Sequence, residues 1–331
     1  MSSSSTIDAA PAAAADRTRS TAPPAGPAPA APLPAPVTDP ARGLHEGHLH
    51  RGPEVAAVLH TEVDVEAYTR SGPARLPVDA EALAAEAPLT PPQRLALRVL
   101  QRLEASALAE SRAMLATWTG NEARITAFLA TWMVWRRWQS RALRDLLALD
   151  AERQTRPDPE PPAPSPSARL RRVHVDRVQP LLAPAWTALA GEEVTAGHMA
   201  RTALQESWLR TALRALAPTL PPTARALVTE VAAGHDDAVA FFVAEARARV
   251  TRSRGEARTA RLVLALDSPA HGGGVPDPEL PAALAVIAAD PAVRADLRRD
   301  AEEITRLLPL RPLTPRGLRT SPLLPLPTIG A

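Results

Sequence analysis

The chain has 331 residues, among them 37 prolines and 38 basic residues, with no cysteine and no lysine. The lack of cysteine excludes a disulfide framework, a thiolate zinc site, an iron–sulfur cluster and a cysteine nucleophile. A formal net charge of only +2 beside a pI near 10.1 reflects basicity carried wholly by arginine, which keeps its proton to very high pH, so the pI is not a nucleic-acid signal.

Arginine in place of lysine, together with abundant Ala, Pro and Gly, points to base composition of the gene before it points to recognition. No run of about 18 uncharged apolar residues marks a membrane span, and the start lacks a basic stretch followed by an apolar one. A soluble, cytoplasmic protein that binds no nucleic acid is expected. A Ser/Ala/Arg-rich start is also compatible with a transit peptide, which Asp8, Asp16 and the long Pro-Ala run fit poorly.

Nine prolines fall in 1–41, six in 157–166 and six in 309–327, so organisation follows proline density. Residues 1–52 are expected to be a disordered Ala/Pro-rich arm, because they hold too little branched or aromatic surface to offset the entropy of ordering. Residues 53–308 are expected to form one helical domain carrying a Pro-rich linker at 151–168, and 309–331 an irregular Pro/Leu-rich tail.

Within the domain, Val55, Val58, Leu59, Val63 and Val65 suggest a short helical entry segment that breaks at Ser71-Gly72-Pro73. Thr90 suits an N-cap and Pro91 the first helical position, and Leu95, Val99, Leu103, Leu108 and Leu115 continue at helical spacing to Trp118. After Gly120-Asn121 a second long helix carries Ile125, Phe128, Leu129, Trp132, Trp135, Leu143, Leu146 and Leu147 and ends near Asp150. Beyond the linker the pattern gives helices over Leu170 to about Ala190, Glu192 to Ala217 and Ala224 to about Val250. Two shorter ones follow at about 279–289 and 292–308, and Leu262–Leu266 reads equally as a strand or a helix end. An all-α fold built on a four-helix bundle is the expected architecture.

The run from Thr131 to Leu147 resembles a helix of the ferritin-like acyl-ACP desaturases, a family with a Trp, a Glu-Glu-x-x-His unit and an Ala-Leu-Arg-Asp-x-Leu stretch. Here Trp132 and Ala142–Leu147 keep the frame, while Arg136 stands for the metal-binding Glu and Gln139 for the His. Similarly, Gly234 to Phe242 resembles the family's Asp-Glu-x-x-His and aromatic pair, with His235 in place of the Glu and Ala238 in place of the His. Glu104 falls where the family has its first-helix Glu, and Gln205-Glu206 matches its Gln-Glu on the third helix.

The resemblance implies a ferritin-like homodimer whose active relatives use two irons, oxygen and a ferredoxin-type donor to desaturate an acyl chain on acyl carrier protein. Such a centre takes a Glu from each of two helices and a Glu-x-x-His from each of two others. Glu104, Glu206 and His235 are the donors left, and a guanidinium stands among them at Arg136. No metal cofactor is therefore expected, and Arg136 paired with Glu104 or Glu206 is the expected replacement for iron.

The resulting expectation is a non-catalytic relative acting through an acyl carrier protein or a paralogous desaturase subunit. The arginines at 169, 171, 172 and 177 are available to an acidic carrier. The alternative is an active desaturase or oxidase of fatty acid metabolism with a diminished or mononuclear metal site at Glu104, Glu206 and His235, for which di-iron would be the cofactor. Glu104 and Glu206 also admit a solvent-facing reading, since charged residues usually lie outside, and His235 taken singly is more often a surface or satisfied histidine than a ligand.

Two further motifs carry less. His45-Glu46-Gly47-His48-Leu49-His50 has metal-like composition, but its spacing is not that of a helical zinc site, and adventitious binding on an arm is expected. His271-Gly272-Gly273-Gly274 lacks an accompanying G-x-S-x-G nucleophile and reads as a flexible connector.

Overall fold

The computed structural model describes residues 60–307, apart from 73, 155–162, 164–165, 174–190, 267, 269 and 275–276. The expected arm at 1–52 with its His45–His50 cluster, the tail at 309–331, Arg177 and most of the linker lie outside the described residues. The described part is all-α, with no strand among its residues and no helix long and apolar enough to cross a membrane.

Two short helices, α1 (Val65–Ser71) and α2 (Ala80–Ala85), each begin on an Asp whose carboxylate accepts a backbone N–H: Asp64 from Ala67 and Asp79 from Ala82. The next helix, α3 (Pro91–Ala105), opens on Thr90, whose backbone N–H donates to Gln93 at 2.8 Å, with Pro91 at the first helical position. It is followed by α4 (Ala107–Leu115), a 3₁₀ turn at Trp118–Asn121 and the 30-residue α5 (Ala123–Glu152). Beyond α5 come α6 (Pro166–Val173) and α7 (Glu193–Leu216). The chain continues through α8 (Pro222–Ala233), α9 (Asp236–Arg252), α10 (Arg254–Leu266), α11 (Leu280–Ile287) and α12 (Pro291–Leu307).

Two expectations need correction. The helix read as continuous to Trp118 breaks at Ser106, whose hydroxyl and N–H both turn back to the Leu103 carbonyl at 2.7 and 3.2 Å. Trp118 itself belongs to the 3₁₀ turn. The helix read over 224–250 breaks at Gly234-His235, where the His235 N–H reaches back three residues to Ala232 instead of four. Both breaks lie beside the site described below. Leu262–Leu266 resolves as helix, the end of α10. Of the helix expected over 170–190, only the stretch to Val173 is described.

Helix α7 is central, packed against α8, α9, α10 and α12, and every residue of Val194–Gly197 and of Thr202–Leu209 is buried. Such all-round burial makes even small protrusions costly, and at Gly197 a Cβ would lie 2.7 Å from Val263 of α10. Helix α5 packs chiefly on α3, with α1 and α4 beside it.

The apolar core has two parts. One gathers Leu97, Leu100, Leu143, Leu146, Leu209, Leu213, Val228 and Val231; the other gathers Ile125, Phe128, Leu129, Trp132, Met199, Phe241 and Phe242, with Tyr68 stacked on Phe128 at 4.3 Å. Each such side chain stabilises the fold by about 1.5–3 kcal/mol on burial. In α3, α5, α7 and at the α8–α9 junction, the boundary between the two parts falls on a charged residue.

Candidate functional site

Those four residues are Glu104 on α3, Arg136 on α5, Glu206 on α7 and His235 at the junction of α8 and α9. Each is at most 1 % exposed. They face one another because each occupies an inward step of an otherwise apolar stripe: Leu100 and Leu103 precede Glu104, Trp132 precedes Arg136, and Ala203 precedes Glu206.

The contacts form a closed ring. His235 Nδ1 lies 2.7 Å from Glu206 Oε2, and His235 Nε2 lies 2.8 Å from Glu104 Oε1. Arg136 takes the other two carboxylate oxygens, pairing its Nη1 with Glu206 Oε1 and its Nε with Glu104 Oε2; the second is an ion pair without an aligned hydrogen bond. Arg136 Nη2 then donates to the Leu103 carbonyl at 2.6 Å, the same oxygen that the break at Ser106 turns toward. The guanidinium also stands over Trp132, 5.4 Å from the ring centroid.

Charge fixes the protonation states. Burial alone would lower the His235 pKa, but the Glu104 and Glu206 carboxylates outweigh it and raise it to about 9, so the ring is an imidazolium donating from both nitrogens. Burial would raise the Glu206 carboxyl, yet Arg136 and then His235 hold it below its ordinary value. Arg136, desolvated but flanked first by Glu104 and then by Glu206, is held more firmly protonated than usual. Two carboxylates, a guanidinium and an imidazolium sum to zero, which is how four ionised groups can share a dry interior.

The other two positions singled out in the sequence do not join the ring. Gln139 is buried, but its amide donates to the Val231 carbonyl at 3.3 Å and lies against Gly234, where any Cβ would come within 2.3 Å of it. Ala238 packs in the apolar group with Phe241 and Phe242. Arg169 and Arg172 are exposed on α6, and the Arg171 side chain lies outside the described residues.

Two buried polar clusters were not anticipated. Glu110 on α4 accepts from Gln205 and Ser106 at 2.7 Å each and from the Gly273 N–H at 3.1 Å, so the glycine turn expected as a flexible connector is tied to the core. Farther along, Arg249 meets Glu122 at 2.5 Å and Glu245 at 3.2 Å, and Arg124 joins Glu245 at 3.2 Å while holding Thr61 and Val63. The signal was present: Ala238, Phe241, Phe242, Glu245 and Arg249 step along one helical stripe that is inward from its apolar members. His198, half-buried with Nδ1 2.9 Å from the Thr119 hydroxyl, was also missed; burial, then Arg201, lowers its pKa to about 4.

The ring does not fit a metal pair. All four oxygens of Glu104 and Glu206 already face cationic N–H groups, and His235 has no lone pair left when both nitrogens donate. No group of three or more His, Asp or Glu side chains is arranged to hold a metal ion among the described residues. No protein-family model, curated protein or solved structure matches the chain.

Proposed function

We propose that the chain is a ferritin-like four-helix-bundle protein related to the acyl-ACP desaturases, in which a guanidinium and an imidazolium stand in place of two irons. It is non-catalytic and acts by binding a protein partner, an acyl carrier protein or a desaturase-like subunit. The observation that carries this proposal is the ring itself: Glu104 and Glu206 are retained on different helices, and Arg136 and His235 bridge them at positions where the resemblance puts metal-binding glutamates.

Two ferrous ions carry four positive charges against four carboxylates. Here two carboxylates meet two cations, so the neutrality of the interior is kept with half the charge and without redox chemistry. What the exchange retains is a cross-brace among α3, α5, α7 and the α8–α9 junction. A scaffold so braced presents a fixed outer surface, which is what partner binding requires and what an oxygen-activating centre does not need by itself.

The test is metal content. Full-length protein carrying His45, His48 and His50 changed to Ala, expressed in iron-replete medium, is expected to hold well under one iron per chain. The variant R136E/Q139H/H235E/A238H is expected to gain iron on the same frame. About two irons per chain in the protein with its ring intact would refute the proposal.

A further inference from the structure

The partner-binding proposal leaves open which surface binds and what it recognises, and the outer face of α5 bears on both. Ala127, Ala130, Val134, Arg137, Arg141 and Arg144 follow one another at three- and four-residue steps along its outward side. The first three are small and apolar, with Val134 39 % exposed. The last three are basic: Arg144 is 63 % exposed at its side chain and Arg141 42 %, the latter stacked 5.9 Å over half-buried Trp138. Arg75 adds a fourth cation from the loop before α2, 3.6 Å from Asp145.

Charge is unevenly matched there. Asp145 is shared by Arg75, Arg141 and Arg144 at 3.6–4.0 Å, and Arg137 has no ion-pair partner among the described residues. Four guanidinium groups against one carboxylate leave a surplus of three positive charges on one end of a helix face whose other end is apolar and smooth.

We propose that this face is a docking surface for an acidic amphipathic helix of a second protein. Small side chains at Ala127, Ala130 and Val134 let a helix approach to the roughly 8–10 Å of close packing. The arginines farther along meet carboxylates bidentately. From Ala127 to Arg144 the face runs about 26 Å, the length of a five-turn helix. A second copy of this chain is disfavoured as occupant, because an antiparallel pairing lays the arginines either against the apolar half of the other copy, which offers them no carboxylate, or, when centred on the arginine stretch, against the same cations with only Asp145 to offset them. A nucleic acid backbone would find nothing to contact over the apolar half, and a lipid surface would find no large apolar side chain exposed on it beyond Val134.

The inference rests on the partner-binding proposal, and its test is independent of metal content. The full chain is titrated into a fluorescein-labelled 20-residue Glu/Leu amphipathic helical peptide at low salt. The same titration is run with a scrambled peptide of equal composition, a Lys/Leu helix, phosphatidylglycerol vesicles and a short DNA duplex. The amphipathic acidic helix is expected to bind at least tenfold tighter than the scrambled one and to lose at least tenfold in the exposed triple variant R137E/R141E/R144E. A130E, which alters only the apolar half, is expected to weaken it several-fold. R137Q/R144Q serves the same purpose should the triple variant fail to fold. Absent binding, equal binding of the scrambled peptide, unchanged binding by both arginine variants, or triple-variant-sensitive binding of vesicles or duplex in place of the peptide would overturn it.

Discussion

Glu104 and Glu206 never pair with each other, yet each gives one carboxylate oxygen to Arg136 and the other to His235. The ring is closed, so loss of any member strands its neighbours in a dry interior.

Replacing Arg136 with Met leaves two buried carboxylates with His235 as their one shared cation. Removing one partner of a buried pair costs about 3–5 kcal/mol, which for a chain of this size lowers Tm on the order of 10 °C. Arg136→Lys is expected to fall between Met and the parent. An ammonium cannot reach Glu104, Glu206 and the Leu103 carbonyl together as the guanidinium does. Thermal unfolding by circular dichroism ranks the three; equal Tm values would show that the ring is slack.

Replacing the whole ring behaves differently. With E104L, R136M, E206L and H235F combined no charge is stranded, and the two apolar parts of the core become continuous across the boundary. Stability is expected within about 2 kcal/mol of the parent, or above it, since apolar replacement of a buried ionic group is often neutral or stabilising. Urea unfolding measures it, and a loss as large as that of R136M alone would show that the ring contributes more than mutual neutralisation.

Stability also depends on pH, with opposite signs at His235 and His198. His235 is raised to about 9, so its contribution is complete below about 6.5 and is lost as pH rises through 9, at most about 1.4 kcal/mol per pH unit. His198 is lowered to about 4, so its contribution is complete above about 6.5 and is lost as pH falls toward 4. Tm against pH is expected to decline on the alkaline side in the parent and to flatten there in H235Q, with the acid side flattening in H198Q. An alkaline decline unchanged in H235Q would place the titrating group elsewhere.

Arg124 holds the carbonyls of Thr61 and Val63 as well as Glu245. In R124Q the backbone amides at 61–65 are expected to exchange hydrogen at least tenfold faster, while those of α7 remain protected. Unchanged exchange at 61–65 would show that Val65 and Tyr68 alone seat the segment.

Much of this was legible from spacing. Apolar repeats placed the ends of α5 and α7 within a few residues, and the inward position of Arg136 followed from its place on the stripe of Trp132. Charge counting put a carboxylate beside Arg136. It did not show that Arg136 takes both carboxylates, nor that His235 bridges the same two from the far side. That geometry depends on the breaks at Ser106 and Gly234-His235, which follow from a serine hydroxyl returning to the Leu103 carbonyl and from the Gln139 amide pressed against Gly234. A linear pattern of apolar residues carries neither contact. The clusters at Glu110 and Arg249 escaped notice for a related reason: charged residues on an apolar stripe are ordinarily read as interruptions, and their partners lie about 95 and 127 residues away.

The most direct measurement is the protonation of His235 itself. Nitrogen-15 NMR of histidine-labelled protein at pH 7.5, with H235Q used to assign the signal, is expected to show both ring nitrogens of His235 protonated, titrating only near pH 9. A neutral His235 with one bare nitrogen at that pH, or a resonance shifted by bound metal, would contradict the ring of two carboxylates and two cations.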